Sequence, residues 1–453
     1  MALTKQEVIE QTRVMLEWRR AEKYRLNTLY QYIHGKQRFY WLAENVPDEV
    51  RRIAEMSRVN VLGLVVDSVA QSLYVDGYRA PHSENEDPAW EIWQQNKLDA
   101  RQIGVHRAAL GYGVSYSVIL PGKPVAVIRG ISPRDMTTVY GEDDDWPMWA
   151  LERRRSDLTG KTLFRLFDDE MMYWVSVSSS YTPRKPYERP PAEMDWDTGS
   201  VEFISVEEHG ASRVPVVRFL AKSDLDDEVP SEIDDLMSLQ DQINLTTFAL
   251  LVVQHYGAFP QKWIAGWTPE TSEEMLEVGA SKILTFDDAE TKLGTFDAAD
   301  LSGYIDSRRD TLRNLAAISQ TPAHALRGEL VNLSAEALAA AEQSERRKIT
   351  ERETMFGESW EQTLALAGAL DNIEPDPAAQ VRWKDTEARA FAATVDALGK
   401  LAQMLNIPVQ ELWEKVPGVT QQDVDRWKLA AQQGDAFAQL NAMLERQAGA
   451  VNF

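Results

Sequence analysis

The chain contains no cysteine, which excludes a disulfide framework, a thiolate nucleophile and any thiolate metal ligand. Histidine is scarce as well. The six histidines stand at 34, 82, 106, 209, 255 and 324. None pairs with another at ligand spacing and no His-Glu-x-x-His run exists, so the sequence predicts no metal centre and no cofactor. Positive charge is in short supply: 48 basic residues against 71 acidic ones give a net charge of -23. A chain this acidic does not grip nucleic acid over its whole surface, so any DNA contact is local or non-adhesive. Long apolar runs are missing too. Phe248–Val253 is among the longest, well short of the roughly 20 residues a membrane span needs. The start, MALTKQEVIEQTRVMLEWRRAEKY, is a charged amphipathic helix without the apolar centre of a signal peptide. These absences predict a soluble protein made inside the cell, with no membrane partner.

Catalytic motifs are absent or incomplete. Thr159-Gly160-Lys161-Thr162 looks like the end of a phosphate-binding loop, but Arg155 stands where its first glycine belongs. The segment also lies among strand-like runs, which favours a turn. Gly113-Val114-Ser115-Tyr116-Ser117 lacks the second glycine of a nucleophile elbow. The acidic runs Glu142–Asp145 and Asp224–Glu228 read as solvated loops rather than cation sites. No catalytic constellation remains.

What the chain does have is length and apolar content: 453 residues, 44% hydrophobic, enough for about three domains with a substantial core. Fourteen tryptophans are present. Trp41, Trp146, Trp149 and Trp267 fall in loops or at helix ends, where such rings serve either subunit interfaces or a large core.

The most informative stretch runs from Pro230 to Leu333. A helix opens at Pro230-Ser231, with Glu232, Asp234 and Asp235 in its first turn opposing the helix dipole. Ile233, Leu236, Met237, Leu239, Ile243, Phe248, Leu250 and Leu251 recur near helical spacing up to about Tyr256. A second helix begins near Asp300, carries Leu301, Tyr304, Ile305, Leu312, Leu315 and Ile318, and stops before Thr321-Pro322. Between them, Gln261–Ala265, Lys282–Phe286 and Thr291–Phe296 read as short strands, and Glu270–Val278 as an acidic helix. So small an insert cannot cover two apolar stripes, which predicts that the pair packs against copies of itself. Asp306 and Asp310 sit three residues before Arg309 and Arg313, the spacing of local ion pairs. Arg308 falls near the apolar stripe and suits a pair between subunits.

Elsewhere residues 1–75 read as helices, including Val59–Leu73, followed by short helices at Trp90–Asn96 and Ala100–Gly111. Val114–Leu120 and Val125–Ile131 flank Pro121-Gly122 as a hairpin. Trp149–Arg155, Leu163–Phe167 and Met171–Val177 continue as a meander. Val201–Val206 and Val214–Phe219 close the β region. Ser334 caps a long helix running to about Leu370. Its charged run from Glu342 to Glu353, with Lys348, Glu351 and Arg352, reads as a solvated face. A helical tail follows, interrupted at Ile407-Pro408 and Pro417-Gly418.

Several stretches, taken in order, resemble one family. They are Asn60–Tyr78 (NVLGLVVDSVAQSLYVDGY), the segment Trp93–Ser117, Ser132–Tyr140 (SPRDMTTVY), Ser231–Asn244 (SEIDDLMSLQDQIN), Asn332–Glu342 and Glu351–Trp360. The family is the portal proteins of tailed bacteriophages, especially those of siphophages infecting Actinobacteria. The resemblance implies an α+β, ring-forming fold, with residues 1–229 the first part of a mixed α/β wing. Residues 230–256 and 300–320 would be stem helices, 257–299 a small β-rich clip, 321–333 a tunnel loop, 334–383 the long wing helix and 384–453 a helical crown.

It also implies the function: a dodecameric ring at one capsid vertex, through which double-stranded DNA is packaged and ejected. The partners would be other copies, the terminase large subunit, a head–tail adaptor, and the major capsid and scaffolding proteins. The ring would assemble in the host cytoplasm and reside in the virion. His324, Arg327, Glu329 and Asn332 would line the tunnel loop, and Arg308, Arg309 and Arg313 the stem. Lys262, Trp263, Trp267, Lys282 and Lys292 would serve docking at the clip. The net charge of -23 predicts that ring assembly depends on salt. Another phage structural ring or minor head protein is the alternative, and a packaging enzyme a more distant one.

Overall fold

A computed structural model describes residues 2–431, except 44, 82, 84–85, 142–145, 157–160, 179–195, 224, 226–227, 258–261, 266–291, 296–299, 328–334, 385–390, 417–418, 420–422 and 425. The chain mixes helices with antiparallel sheets. It opens with α1 (Lys5–Ile33), where Thr4 and Glu7 form a reciprocal cap, then α2 (Asp48–Met56) and α3 (Val61–Ser72). Strand β1 (Val75–Arg79), α4 (Trp90–Gln95) and α5 (Leu98–Tyr112) follow. Gly113 ends α5 at φ +89°, and a Cβ there would collide with the Val229 carbonyl, so the sharp exit into the next strand requires glycine.

Two sheets come next. The hairpin of β2 (Val114–Leu120) and β3 (Val127–Ile131) forms as the sequence predicts, and β9 (Val216–Leu220) joins β2 on its other side. A separate five-stranded meander runs β4 (Met136–Tyr140), β5 (Pro147–Ser156), β6 (Lys161–Phe167), β7 (Met171–Ser178) and β8 (Glu202–Glu208). The expected single β region is therefore two sheets. The stretch Ser132–Tyr140 contains β4, paired to β5 with Met136 opposite Glu152. Glu152 ties the sheets together: it meets Arg129 of β3 at 2.8 Å, Arg154 of its own strand at 2.9 Å, and Arg165 of β6.

Beyond the sheets lie α6 (Met237–Gly257), the hairpin of β10 (Lys262–Ala265) and β11 (Lys292–Thr295), and α7 (Ser302–Ile318). Then come α8 (Ala323–Arg327), the 36-residue α9 (Ala335–Leu370), β12 (Gln380–Trp383), α10 (Phe391–Leu405) and α11 (Val409–Leu412). β12 returns about three hundred residues along the chain to pair with β1, Tyr78 standing opposite Val381.

The largest core joins α1, α3, α4, α5 and α9 through Leu29, Leu62, Val65, Trp93, Leu110, Phe356 and Trp360. His106 sits fully buried at its centre. Its Nδ1 lies 3.2 Å from Leu73 O and its Nε2 accepts the Trp360 indole N–H at 2.8 Å, while the Phe356 ring stacks on it. Those contacts specify the neutral Nδ1–H tautomer, and burial holds the imidazole pKa down at about 3. A second core lies between α1 and the five-stranded sheet.

Candidate channel unit

The helix pair predicted from Pro230 to Thr321 is present, with its short hairpin between the distal ends. The other ends of α6 and α7 meet at α9, so the two helices are antiparallel. Burial grades along the pair. Near α9, Leu236, Ile243 and Leu315 join the main core, and Ala316 is buried. Away from it, from Ser302 to Asp310, only Arg308 of α7 is even half-buried, and Leu245, Tyr304 and Ile305 are exposed.

The region Asp234–His255 is long and apolar enough, by length and composition, to cross a membrane, yet only 28% of its most apolar window is buried in the chain. The expectation of no span-length segment missed it because polar residues break up the run. Those residues are occupied with protein. Gln240 Oε1 accepts from Val61 N at 3.0 Å and its amide donates to Val59 O at 2.6 Å. Asn244 Oδ1 accepts from Val59 N at 3.1 Å. Two α6 side chains thus satisfy backbone groups at the start of α3. Asp241 accepts from Tyr32 at 2.7 Å and Tyr40 at 2.6 Å, and both phenols are pushed up, first by burial. The Trp41 ring packs on Phe248 at 4.7 Å. This loop tryptophan serves the packing of α6 within one chain.

At the proximal end a buried polar network joins three elements. Glu232 points inward, not along the α6 dipole: the helix is preceded by a 3-10 turn at Asp234–Leu236, and Glu232 is buried against α9. Its Oε1 accepts from Arg352 Nη2 at 2.7 Å and Nε at 2.9 Å. Lys348, one turn before Arg352, donates to Ser319 O at 2.6 Å, just past the end of α7, and lies 3.9 Å from Glu232. Burial holds the Lys348 ammonium below its ordinary pKa while Glu232 and Glu345 oppose that shift. The solvated-face reading of Lys348 and Arg352 is therefore corrected. Stepping back by fours from buried Phe356 lands on Arg352 and then Lys348, so both continue the inward stripe of α9.

The predicted site residues divide as follows. Arg309 and Arg313 pair with Asp306 at 3.3 Å and Asp310 at 3.1 Å, as their spacing requires, and are exposed. Arg308 is half-buried, and its Nε is buried without a hydrogen-bond partner among the described residues. His324 and Arg327 lie on α8, so part of the expected loop is a short helix. His324 is half-buried near Glu345, whose carboxyl is raised by burial and lowered by Lys348 and His324. Lys262 stands at the start of β10 opposite Thr295, Trp263 opposite Gly294, and Lys292 opposite Ala265. Trp267, Lys282, Glu329 and Asn332 lie outside the described residues, as do Lys282–Phe286 and Glu270–Val278. Among the described residues no group of three His, Asp or Glu side chains is arranged to hold a metal.

A model of the family described as phage portal protein, SPP1 Gp6-like, matches residues 16–436. The chain belongs to the phage portal family. It is 28% identical over 394 residues to the portal protein of Mycobacterium phage D29, covering 82% of this chain and 77% of that protein. It is 27% identical over 393 residues to the portal protein of Mycobacterium phage L5, with the same coverage. A solved structure titled "Neck of native GTA particle computed with C12 symmetry" superposes with a TM-score of 0.46 at 12% identity, covering 79% of this chain and 86% of that one. A portal protein is a structural component of a phage particle and not an enzyme, in keeping with a sequence that carries no catalytic constellation.

Proposed function

We propose that copies of this portal chain close into a ring of twelve at one capsid vertex, with α6 and α7 around a channel for double-stranded DNA. In this reading residues 1–229 and 334–383 form the wing. Residues 230–256 and 300–320 are the stem, 257–299 the clip, 321–333 the tunnel loop and 384–453 the crown. The clip serves the terminase large subunit during packaging and a head–tail adaptor afterwards. The crown and wing face the capsid and scaffolding proteins, and assembly takes place in the host cytoplasm before the ring enters the virion.

The observation that carries this reading is the uneven burial of α6 and α7. They are anchored at the α9 end through Glu232, Lys348 and Arg352, yet leave apolar area on α6, including Leu245 near its middle, and Tyr304 and Ile305 at the distal end of α7 uncovered. Apolar surface on an anchored helix pair calls for a protein neighbour, and a second copy supplies an identical pair. The half-buried Arg308, with its unsatisfied Nε, suits a partner across that interface. The locally paired Arg309 and Arg313 leave little net charge to hold phosphates, which suits a conduit through which DNA must slide.

Native mass spectrometry across a salt series tests the reading. Assemblies near twelve subunits, growing with ionic strength as the net charge is screened, are the expected result. A monomer or dimer at every salt concentration would refute it.

A further inference from the structure

Where the two sheets meet, one buried carboxylate holds three arginines. Glu152 of β5 is 1% exposed. Arg165 stands opposite it on β6 and takes Oε2 through Nε, at 3.0 Å, and through Nη2. That pair alone neutralises the carboxylate. Yet Oε1 also accepts from Arg129 Nη2 of β3 at 2.8 Å and from Arg154 Nη1 at 2.9 Å. Arg129 and Arg154 therefore stand side by side, and their two positive charges are in excess.

The surroundings do not supply the missing negative charge. Among the described residues Glu152 is the only carboxylate within ion-pair distance of any of the three. Asp135 is taken at 2.6 Å by Arg153, whose side chain leaves the opposite face of β5. Lys161 and Glu202, further along the sheet, pair with each other at 2.5 Å. Glu207 is exposed on β8, with β7 between it and the strand of Arg165. The crowding shows in Arg165 itself: burial lowers the pKa of its guanidinium, Glu152 raises it, and Arg129 and Arg154 lower it again.

The three arginines are not equally open. Arg165 is packed against the Phe167 and Trp174 rings, each 5.3 Å away, and against the Met172 sulfur at 3.6 Å. The side chains of Arg129 and Arg154 are 28% and 35% exposed. Each guanidinium spends one N–H on Glu152 and makes no other hydrogen bond among the described residues, so most of its donors remain open. Two such forks, fixed at one point by a buried carboxylate, are preorganised for the several oxygens of an oxyanion.

We propose that Arg129 and Arg154 form a binding site for one doubly charged tetrahedral oxyanion of the phosphate type. Charge sets the class, since two excess cations match one dianion. Position sets the effect. Arg129 belongs to the three-stranded sheet and Arg154 to the five-stranded one, so the anion adds an outer clasp to the one Glu152 makes inside. The site is complete within one chain and does not depend on the ring reading.

Equilibrium dialysis of the full, unsubstituted chain against radiolabelled inorganic phosphate tests this. It is run at constant ionic strength set by chloride, at about pH 8, where a phosphate carries close to two negative charges. One saturable phosphate per chain is the expected result. Arg129→Gln and Arg154→Gln should each weaken it about tenfold or more, the loss of a charge-assisted hydrogen bond. Arg309→Gln with Arg313→Gln, exposed cations elsewhere, should leave it unchanged. Competition on the unsubstituted chain keeps the test open if a substituted chain fails to fold: sulfate should displace the phosphate where equal concentrations of acetate do not. No saturable binding, binding that the Arg129 and Arg154 substitutions leave intact, or equal displacement by acetate would each overturn the inference.

Discussion

Arg352 donates from both Nε and Nη2 to one oxygen of Glu232, at 2.9 and 2.7 Å, in a setting where both side chains are buried. Glu232 lies just before α6, and Arg352 lies midway along α9 beside the lysine that holds the end of α7. One ion pair therefore fixes the base of the helix pair to the body of the chain.

Removing Arg352 leaves buried Glu232 with only Lys348, 3.9 Å away, and removing Glu232 leaves buried Arg352 with only the exposed Glu351. Arg352→Ala or Glu232→Ala is expected to destabilise the chain by about 3–5 kcal/mol. The double change Glu232→Ala with Arg352→Ala should cost clearly less than the sum of the single changes. Urea unfolding of the three variants measures this, and additive costs would show that the pair is not coupled.

His106 gives the core a pH dependence of known sign. Its pKa lies at about 3 in the folded chain, below the ordinary 6.5. The unfolded chain therefore binds the proton first, and the contribution is complete above pH 6.5 and is lost as the pH falls toward 3. Between pH 7 and pH 5 that amounts to about 2 kcal/mol. His106→Gln removes this titration, so its unfolding free energy should fall less over the same interval than that of the unsubstituted chain. Parallel slopes would contradict the assignment.

Glu414 holds the C-terminal helices to the β1–β12 pair. It pairs with Arg79 at 2.8 Å, Arg382 at 2.5 Å and Lys428 at 3.6 Å, and its own pKa is lowered, since the arginine pairs outweigh burial. Glu414→Gln should release α10 and α11 while the cores stay intact. Hydrogen exchange is expected to quicken by tenfold or more over residues 391–416 and to remain unchanged at Phe356–Leu366. Uniform exchange across both regions would count against a local attachment.

The exposed pairs on α7 should behave differently. Arg309→Ala together with Arg313→Ala is expected to change stability by less than about 1 kcal/mol, because solvent-exposed pairs at this spacing contribute little. Thermal unfolding at two salt concentrations checks this. A loss of several kcal/mol would show that these arginines bear on packing.

Local pattern made much of the fold legible. The periodicity of Leu236 to Leu251, the stop before Thr321-Pro322 and the cap at Ser334 locate α6, α7 and α9 to within a few residues. The β2–β3 hairpin follows from alternation on either side of Pro121-Gly122. What escaped depends on contacts distant in sequence. The β1–β12 pair joins residues 75–79 to 380–383, and no local signal links them. The separation of the strands into two sheets turns on β9 choosing β2 over β8. Lys348 and Arg352 look solvated because they lie in a dense charge run, and only their four-residue steps back from Phe356 mark them as inward. The roles of Gln240 and Asn244 depend on the open end of α3, some 180 positions earlier.

The most direct measurement is electron cryo-microscopy of the purified, unsubstituted protein. The account predicts rings with a central hole lined by α6 and α7 of adjacent copies, with Glu232, Lys348 and Arg352 at the junction with α9. Isolated compact particles, or rings carrying α6 and α7 on the outer rim, would contradict it.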